Sequence, residues 1–258
     1  MPPDHGRAGD TTEENHVHDE NRSMVVLLPV YQPSHHLPTL MAELRRAAPR
    51  CHFVIVDDGS SPAAAEVLRQ AENLGGTVLR HPRNQGKGIA LKTGFRYAAE
   101  QHPGLDVVCA DADGQHSVTD IVRVADRVAA TGHTVLGVRR FAENVPLRSK
   151  VGNTVTQALF RAATGRGVQD TQTGLRAYPS ALLDWLGTVP GERFEYEMNV
   201  LLEAARAGHR IEEVVITTTY LDDNASSHFS ALSDSARIYW PLLRYAAASL
   251  LTPARATR

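Results

Sequence analysis

Apolar residues in this chain come in short unbroken runs separated by amphipathic stretches. Met24-Val25-Val26-Leu27-Leu28 is continuous and ends at Pro29. Phe53-Val54-Ile55-Val56, Asp106-Val107-Val108-Cys109-Ala110 and Thr134-Val135-Leu136-Gly137-Val138 repeat the form. Runs of this length and β-branched content suit strands buried on both faces. Between them, Leu37, Leu40, Met41 and Leu44 fall at helical spacing. Helices are expected over Ala63–Gln70 and Ile89–Ala99, with a short strand near Thr77–Leu79. Val118, Ile121, Val122, Ala125, Val128 and Ala129 form one helical stripe. Strand alternating with helix predicts an α/β fold with a mostly parallel central sheet flanked by helices. Beyond Val138 the spacing predicts a helix over Ser149–Ala163, then a loop and short strand over Asp170–Tyr178. A helix over Phe194–Ala207 and a late strand over Val214–Thr219 follow.

Sheets of this kind bind ligands beyond the carboxyl ends of their strands. The polar motifs follow Leu28, Val56, Ala110 and Val138, where such strands end. Asp111-Ala112-Asp113-Gly114-Gln115 closes one run, and alternate residues of an extended segment point the same way. Asp111, Asp113 and Gln115 could therefore offer three oxygens to Mg²⁺ or Mn²⁺. An acidic turn that merely ends the strand is the competing reading. Asp57-Asp58-Gly59-Ser60 is either a turn or a carboxylate pair receiving a nucleotide base or ribose. Asn84-Gln85-Gly86-Lys87-Gly88 precedes a helix; its glycines permit close backbone approach and Lys87 favours an anion. It matches neither a P-loop nor a dinucleotide fingerprint. Arg139, Arg140, Arg148 and Lys150 cluster after the next strand and could hold a second anion.

Composition narrows the class. The chain has 258 residues, 42% hydrophobic and 22% charged, with a net charge of -2. That is enough for one sizeable core and offers no signal for a nucleic-acid partner. Cys51 and Cys109 both sit at apolar runs and read as free buried thiols in a reducing compartment. Residues 1–23 carry Asp4, Asp10, Glu13, Glu14, Asp19 and Glu20 and hold no apolar leader, so a disordered acidic tail on a cytoplasmic protein is expected. The folded domain is expected over 24–235. Within 236–258, the apolar stretch Ile238–Leu251 is short and holds Pro241 and Arg244. It is expected to lie at a membrane interface rather than span a bilayer.

The combination of Pro29-Val30-Tyr31, Asp57-Asp58-Gly59-Ser60, Asn84-Gln85-Gly86-Lys87-Gly88 and Asp111-Ala112-Asp113-Gly114-Gln115 resembles the family 2 inverting glycosyltransferases. The nearest branch is the dolichyl- or polyprenyl-phosphate mannosyl- and glucosyltransferases. The likeness runs from about Met24 to Tyr239. Gly137-Val138-Arg139, Arg148, Asp170-Thr171-Gln172-Thr173-Gly174-Leu175-Arg176, Phe194-Glu195 and Ser227-His228-Phe229 also fit that branch. The resemblance implies a GT-A fold. It implies that Asp57, with Asp58 beside it, meets the donor base, with Pro29, Tyr31, Gln85 and Lys87 near the nucleotide. It further implies Asp111, Asp113 and Gln115 on the metal and diphosphate, and Arg139 and Arg148 on the acceptor phosphate. Asp170, Gln172 and Arg176 would line the acceptor side, and Ser227 and His228 would close over the donor phosphates. Two positions depart from the pattern. Gly152, next to Asn153, stands where relatives often have serine, and His228 replaces a lysine common in the mannosyl branch. A histidine is mostly neutral near pH 7, so it binds diphosphate less strongly there.

The implied reaction moves a hexose from a nucleotide-sugar donor to a polyprenyl phosphate with inversion. The acceptor is already anionic, so positioning and electrostatics carry the step. A hydroxyl acceptor would instead need a base, for which Asp170, Glu195 and Glu197 are the candidates. A sugar-nucleotide pyrophosphorylase would need a glycine- and arginine-bearing loop where Pro29-Val30-Tyr31-Gln32-Pro33 stands. A binding module that has lost activity sits poorly with the intact Asp111 and Asp113.

Overall fold

The computed structural model describes residues 23–139 and 154–217, apart from positions 155, 159, 163 and 166. Residues 1–22, Arg140, Arg148, Lys150, Gly152, Asn153, Ser227, His228 and the segment 236–258 lie outside the described residues. Strands β1 (Met24–Val30), β2 (Cys51–Asp57), β3 (Gly76–Arg80), β4 (Val107–Cys109), β5 (Thr134–Arg139), β6 (Arg176–Tyr178) and β7 (Ile211–Ile216) form one sheet among the described residues. Its order is β3-β2-β1-β4-β6-β5-β7, with β6 antiparallel to both neighbours and the other pairings parallel. Helices α1 (His36–Ala47), α2 (Ala65–Asn73), α3 (Lys87–Gln101) and α4 (Val118–Thr131) connect the first five strands. Helix α5 runs through the described residues from 154 to 164. The short α6 (Leu183–Thr188) and α7 (Glu195–Ala207) follow β6.

The predicted strands are buried for the expected reason. Alternate residues of β1 feed opposite cores. Met24, Val26, Leu28 and Val30 pack with α1, α2 and α4, whereas Val25 and Leu27 pack with α3 and α7. Strand β2 divides likewise, with Phe53 and Ile55 on one face and Val54 and Val56 on the other. Both faces are covered, so the runs are apolar throughout rather than alternating. Leu136 and Val138 of β5 meet Phe160, Met198, Leu201 and Leu202 in a third cluster. Both cysteines are free and buried.

Boundaries moved where local geometry overrode periodicity. A 3-10 turn over Pro62–Ala64 precedes α2, because Pro62 suits the first turn of a helix. Helix α3 begins two residues before Ile89, at Lys87, directly after Gly86 at φ 108°. The late strand starts at Ile211, earlier than its β-branched run, since it pairs along the whole of β5 from Thr134 to Arg139. Helix α6 was not foreseen; six residues are too few to show a period. Among the described residues, no helix is long and apolar enough to cross a membrane.

The chain leaves β1 toward β2 and β3, then returns through α3 to β4 on the other side of β1. The order therefore reverses between β1 and β4, and a crevice opens beyond their carboxyl ends. Helix α3 roofs one face by pressing Gly94 on β1. A Cβ at Gly94 would overlap the branch of Leu27, lying 2.6 Å from Cδ2 and 2.9 Å from Cγ.

Gly94→Ala gains about 1 kcal/mol of helix propensity. Against that stands an overpacking cost of about 1–3 kcal/mol. Leu27 is fully buried and the overlap involves its whole branch, so the cost wins. The variant is expected to unfold at lower denaturant concentration than the wild type. An unchanged or higher midpoint would show that α3 does not sit this tightly on the sheet.

Candidate active site

Six chain segments reach the crevice at the carboxyl edge of the sheet. Tyr31 leaves β1 and is 39% exposed. Gln32 follows at φ 53°, a left-handed conformation unusual for a residue with a side chain. It is held there by its N–H donating to Ser60 Oγ at 2.8 Å and by Ser61 Oγ donating to its side chain at 2.9 Å. The β1 exit is thus tied to the turn after β2.

In that turn the two aspartates have separate tasks. Asp57 Oδ1 accepts from the Ser60 N–H at 3.0 Å, closing the turn. Like Asp57, Asp58 is buried. Its carboxylate accepts from the N–H groups of Gln85 at 2.9 Å and Gly86 at 2.7 Å, and meets His81 Nδ1 at 2.8 Å. His81 Nε2 in turn meets Thr93 Oγ1 on α3 at 3.0 Å. Asp58 is therefore an anchor for the Asn84–Gly88 loop and has no oxygen turned to a nucleotide. The expected donor contact at Asp58 is corrected to this supporting role. Gly59 lets the two loops touch: a Cβ there would lie 2.5 Å from Arg83 Cα.

Asp111, Asp113 and Gln115 follow β4, all half-buried. Asp113 Oδ1 accepts from the Gln115 N–H at 3.0 Å. Asp111 Oδ1 takes Lys87 Nζ at 2.8 Å, and Glu197 Oε2 lies 3.1 Å from the same ammonium. Burial works against the Asp111 charge, but Lys87 and His116 outweigh it and hold the carboxyl below its usual range. Burial, then the Asp111 charge, push Asp113 upward. Burial also opposes the Lys87 charge, yet Asp111 and Glu197 keep the ammonium above its ordinary range. Gly174 makes room for Asp111, since a Cβ there would lie 2.6 Å from Asp111 Cγ and overlap the carboxylate.

On the other side of β6, Arg139 ends β5 and forms a two-pronged pair with Asp170, at 2.6 Å from Nε and 3.1 Å from Nη2. Asp170 is fully buried and also accepts from the Gln172 N–H at 3.1 Å. It orients Arg139 instead of facing the crevice, while the Gln172 side chain is exposed. Arg176 does not line the acceptor side as expected. It is 1% exposed and donates to the carbonyls of Thr173 at 2.8 Å, Glu197 at 2.7 Å and Thr171 at 3.1 Å. It thereby ties the Thr171–Thr173 loop to the start of α7. Glu197, Gln32, His81 and Gly174 were not singled out for these roles. Only Glu197 carried a signal, as an acidic residue in the first turn of a predicted helix.

The donor set fits a hard divalent cation. Its candidate ligands are oxygens, and two carboxylates held close in a buried place are relieved by such an ion. His116 Nδ1 is buried nearby without a hydrogen-bond partner, as in a wall that a ligand completes.

The profile of Glycosyl transferase family 2 matches residues 25–184, well over half of the chain. The chain belongs to this family. An undecaprenyl-phosphate mannosyltransferase from Micrococcus luteus is 30% identical over 203 residues, covering 75% of this chain and 82% of that one. A polyprenol monophosphomannose synthase from Mycolicibacterium smegmatis is 28% identical over 204 residues, covering 76% and 77%. Among solved structures, glucosyl-3-phosphoglycerate synthase from Mycobacterium tuberculosis with Mn²⁺, UDP-glucose and phosphoglyceric acid has a TM-score of 0.64 at 19% identity, covering 97% of this chain and 87% of that one. A mannosyltransferase from Pyrobaculum calidifontis in complex with GDP-Man and Mn²⁺ gives 0.53 at 18% identity, covering 91% and 76%. The architecture is the GT-A fold that the resemblance implied, and this glycosyltransferase is an enzyme of family 2.

Asp58→Asn turns an amide NH₂ toward a backbone N–H that now donates to a carboxylate. Loss of charge-assisted bonds to a buried group costs about 1–3 kcal/mol. The variant should unfold at lower denaturant and exchange the Gln85 and Gly86 amide hydrogens faster. Unaltered exchange there would remove Asp58 as the anchor of that loop.

Proposed function

We propose that this family 2 glycosyltransferase moves a hexose from a nucleotide-diphosphate sugar, of the GDP-mannose or UDP-glucose type, to a polyprenyl phosphate with inversion. The observation that carries the reading is the pairing of two charged sites on one crevice. The Asp111–Asp113–Gln115 segment offers oxygens to a cation on the donor side, and Asp170 fixes Arg139 as a planar donor beyond β6. Asp111, Asp113 and Gln115 would hold Mg²⁺ or Mn²⁺, which when bound neutralises the leaving diphosphate. Asp57, Pro29, Tyr31, Gln85 and Lys87 would receive the nucleotide. Arg139, with Gln172 and Arg148, would hold the acceptor phosphate, and Ser227 and His228 would complete the donor side.

A phosphate oxygen is already a nucleophile at neutral pH, so no base has to be found. That suits the chain's own carboxylates. Asp170 is taken up by Arg139, Glu197 by Lys87, and Glu195 accepts the N–H groups of Glu192 and Arg193. Asp170 and Glu197 are thus engaged with cations, which favours an acceptor that needs no base. The names of the lipid-phosphate relatives point the same way. The enzyme would work at the cytoplasmic face of a membrane, reaching its lipid through peripheral contact of the segment 236–258.

The deciding assay incubates the protein with GDP-mannose, UDP-glucose or UDP-N-acetylglucosamine, Mn²⁺ or Mg²⁺, and a short polyprenyl phosphate. Glycolipid should form with at least one donor and vanish on chelation. Absence of glycolipid with all donors, alongside transfer to a hydroxyl acceptor, would overturn the lipid-phosphate reading. Asp113→Ala is expected to lower transfer by about 10²-fold or more, the scale of losing a preorganised charge partner. Gly174→Ala pushes on the Asp111 carboxylate and should lower both transfer and the thermal midpoint. Full activity in Asp113→Ala would remove Asp113 from the chemistry, and full activity in Gly174→Ala would remove Asp111.

A further inference from the structure

Lys87 begins α3, and its backbone is held from both sides. Gly86 and Gly88 lie against the backbone of Glu192, where a Cβ on Gly88 would sit 2.8 Å from the Glu192 carbonyl carbon. The Ile89 N–H donates to the Glu192 carbonyl at 3.0 Å. The start of α3 is therefore pinned to the start of α7, and only the Lys87 side chain is able to move. That side chain is a flexible four-carbon stem with a point charge, unlike a planar guanidinium.

The two carboxylates around the ammonium differ in freedom. Glu197 stands in the first turn of α7, 3.6 Å from Arg176 Nε, while Arg176 itself is fixed by three backbone carbonyls. Asp111 is the other partner, at 2.8 Å, and is a candidate metal ligand. A divalent cation on Asp111 and an ammonium on the same carboxylate repel each other at this range, where little solvent intervenes. A divalent ion at Asp111 therefore weakens the hold of that carboxylate on Lys87. The incoming donor carries a diphosphate, which offers the displaced ammonium a new anion.

We propose that Lys87 is a built-in counter-cation for Asp111, which the divalent ion displaces and the donor diphosphate then receives, so that metal and nucleotide bind as a coupled pair. Glu197 is the positioning residue that keeps Lys87 at this station. The inference rests on the reading of Asp111 as a metal ligand. It assigns the same lysine two partners in sequence: a carboxylate before the donor arrives and a phosphate afterwards. Linkage makes the coupling reciprocal, so the metal tightens the nucleotide by the factor by which the nucleotide tightens the metal.

Mn²⁺ binding followed by its electron paramagnetic resonance, on the full chain with and without GDP or UDP, tests this without any turnover. Wild type should bind Mn²⁺ weakly alone and about 10-fold or more tighter with one of the nucleoside diphosphates, a usual size for such coupling. Lys87→Met should bind Mn²⁺ alone about 10-fold tighter than wild type, the equivalent of about 1.4 kcal/mol. Adding nucleotide should then improve it by a smaller factor than in wild type, since only the direct attraction of metal for diphosphate remains. Lys87→Gln should behave as Lys87→Met does, and Lys87→Arg, which keeps the charge, should retain the coupling. Neutral variants that bind Mn²⁺ no tighter and keep wild-type coupling would overturn the proposal while leaving the metal site standing. Wild type that binds no Mn²⁺ even with nucleotide would overturn the metal reading and the proposal together.

Discussion

Charge buried at the carboxyl edge of the sheet has to be paired, and the way it is paired shapes the crevice. An uncompensated buried charge costs several kcal/mol, comparable with much of a domain's net stability. Here the balance is struck across elements. Arg176 enters from β6, Lys87 from the start of α3, Glu197 from α7 and Asp111 from the end of β4. Lys87 is shared by Asp111 and Glu197, so the end of β4 and the start of α7 are coupled through the first residue of α3. The antiparallel insertion of β6 contributes as well. Its loop arrives at the same edge as the ends of β4 and β5, bringing Asp170 to Arg139 and Gly174 to Asp111.

Backbone contact supplies the second constraint. Gly59 admits the Arg83–Asn84 backbone, Gly86 and Gly88 admit Glu192, and Gly174 admits the Asp111 carboxylate. Each is a place where a side chain would force two loops apart. These contacts turn separate strand-end loops into one wall, with Asp58 as the hydrogen-bonding anchor at its centre. A wall held by backbone N–H donors and buried carboxylates is preorganised, and a transfer step that relies on electrostatics needs that property because little reorganisation is then required during reaction.

The family reading and the geometry agree about place and differ about task. Lys87 and Asp111 meet directly, while Asp57, Asp113, Gln115 and Arg139 lie at or just beyond the carboxyl ends of β2, β4 and β5. Asp58, Asp170 and Arg176 come to the same region but turn inward, toward a loop, an arginine and backbone carbonyls respectively. Motif matching carries over the neighbourhood of a residue; it does not say which of two adjacent carboxylates faces the ligand. Their hydrogen bonds separate them: Asp57 closes its own turn through Ser60, while Asp58 holds the Gln85 and Gly86 N–H groups.

The sequence alone determined the strands, most of the helices, the α/β class and the edge on which the polar motifs lie. Those features are local. A run of apolar residues reads as a buried strand by its length, a helix by its period, and a strand end by the Asp, Gly and Pro that interrupt it. The tertiary structure decided the rest: the antiparallel β6, the early start of β7, the inward turn of Asp58 and Arg176, and the Lys87–Asp111–Glu197 cluster. Three residues of β6 carry no period, and an ion pair between distant parts of the chain leaves no local pattern. Which charges meet is fixed only when the strand order is closed and the elements have buried their apolar faces, because burial is what makes each remaining charge seek a partner.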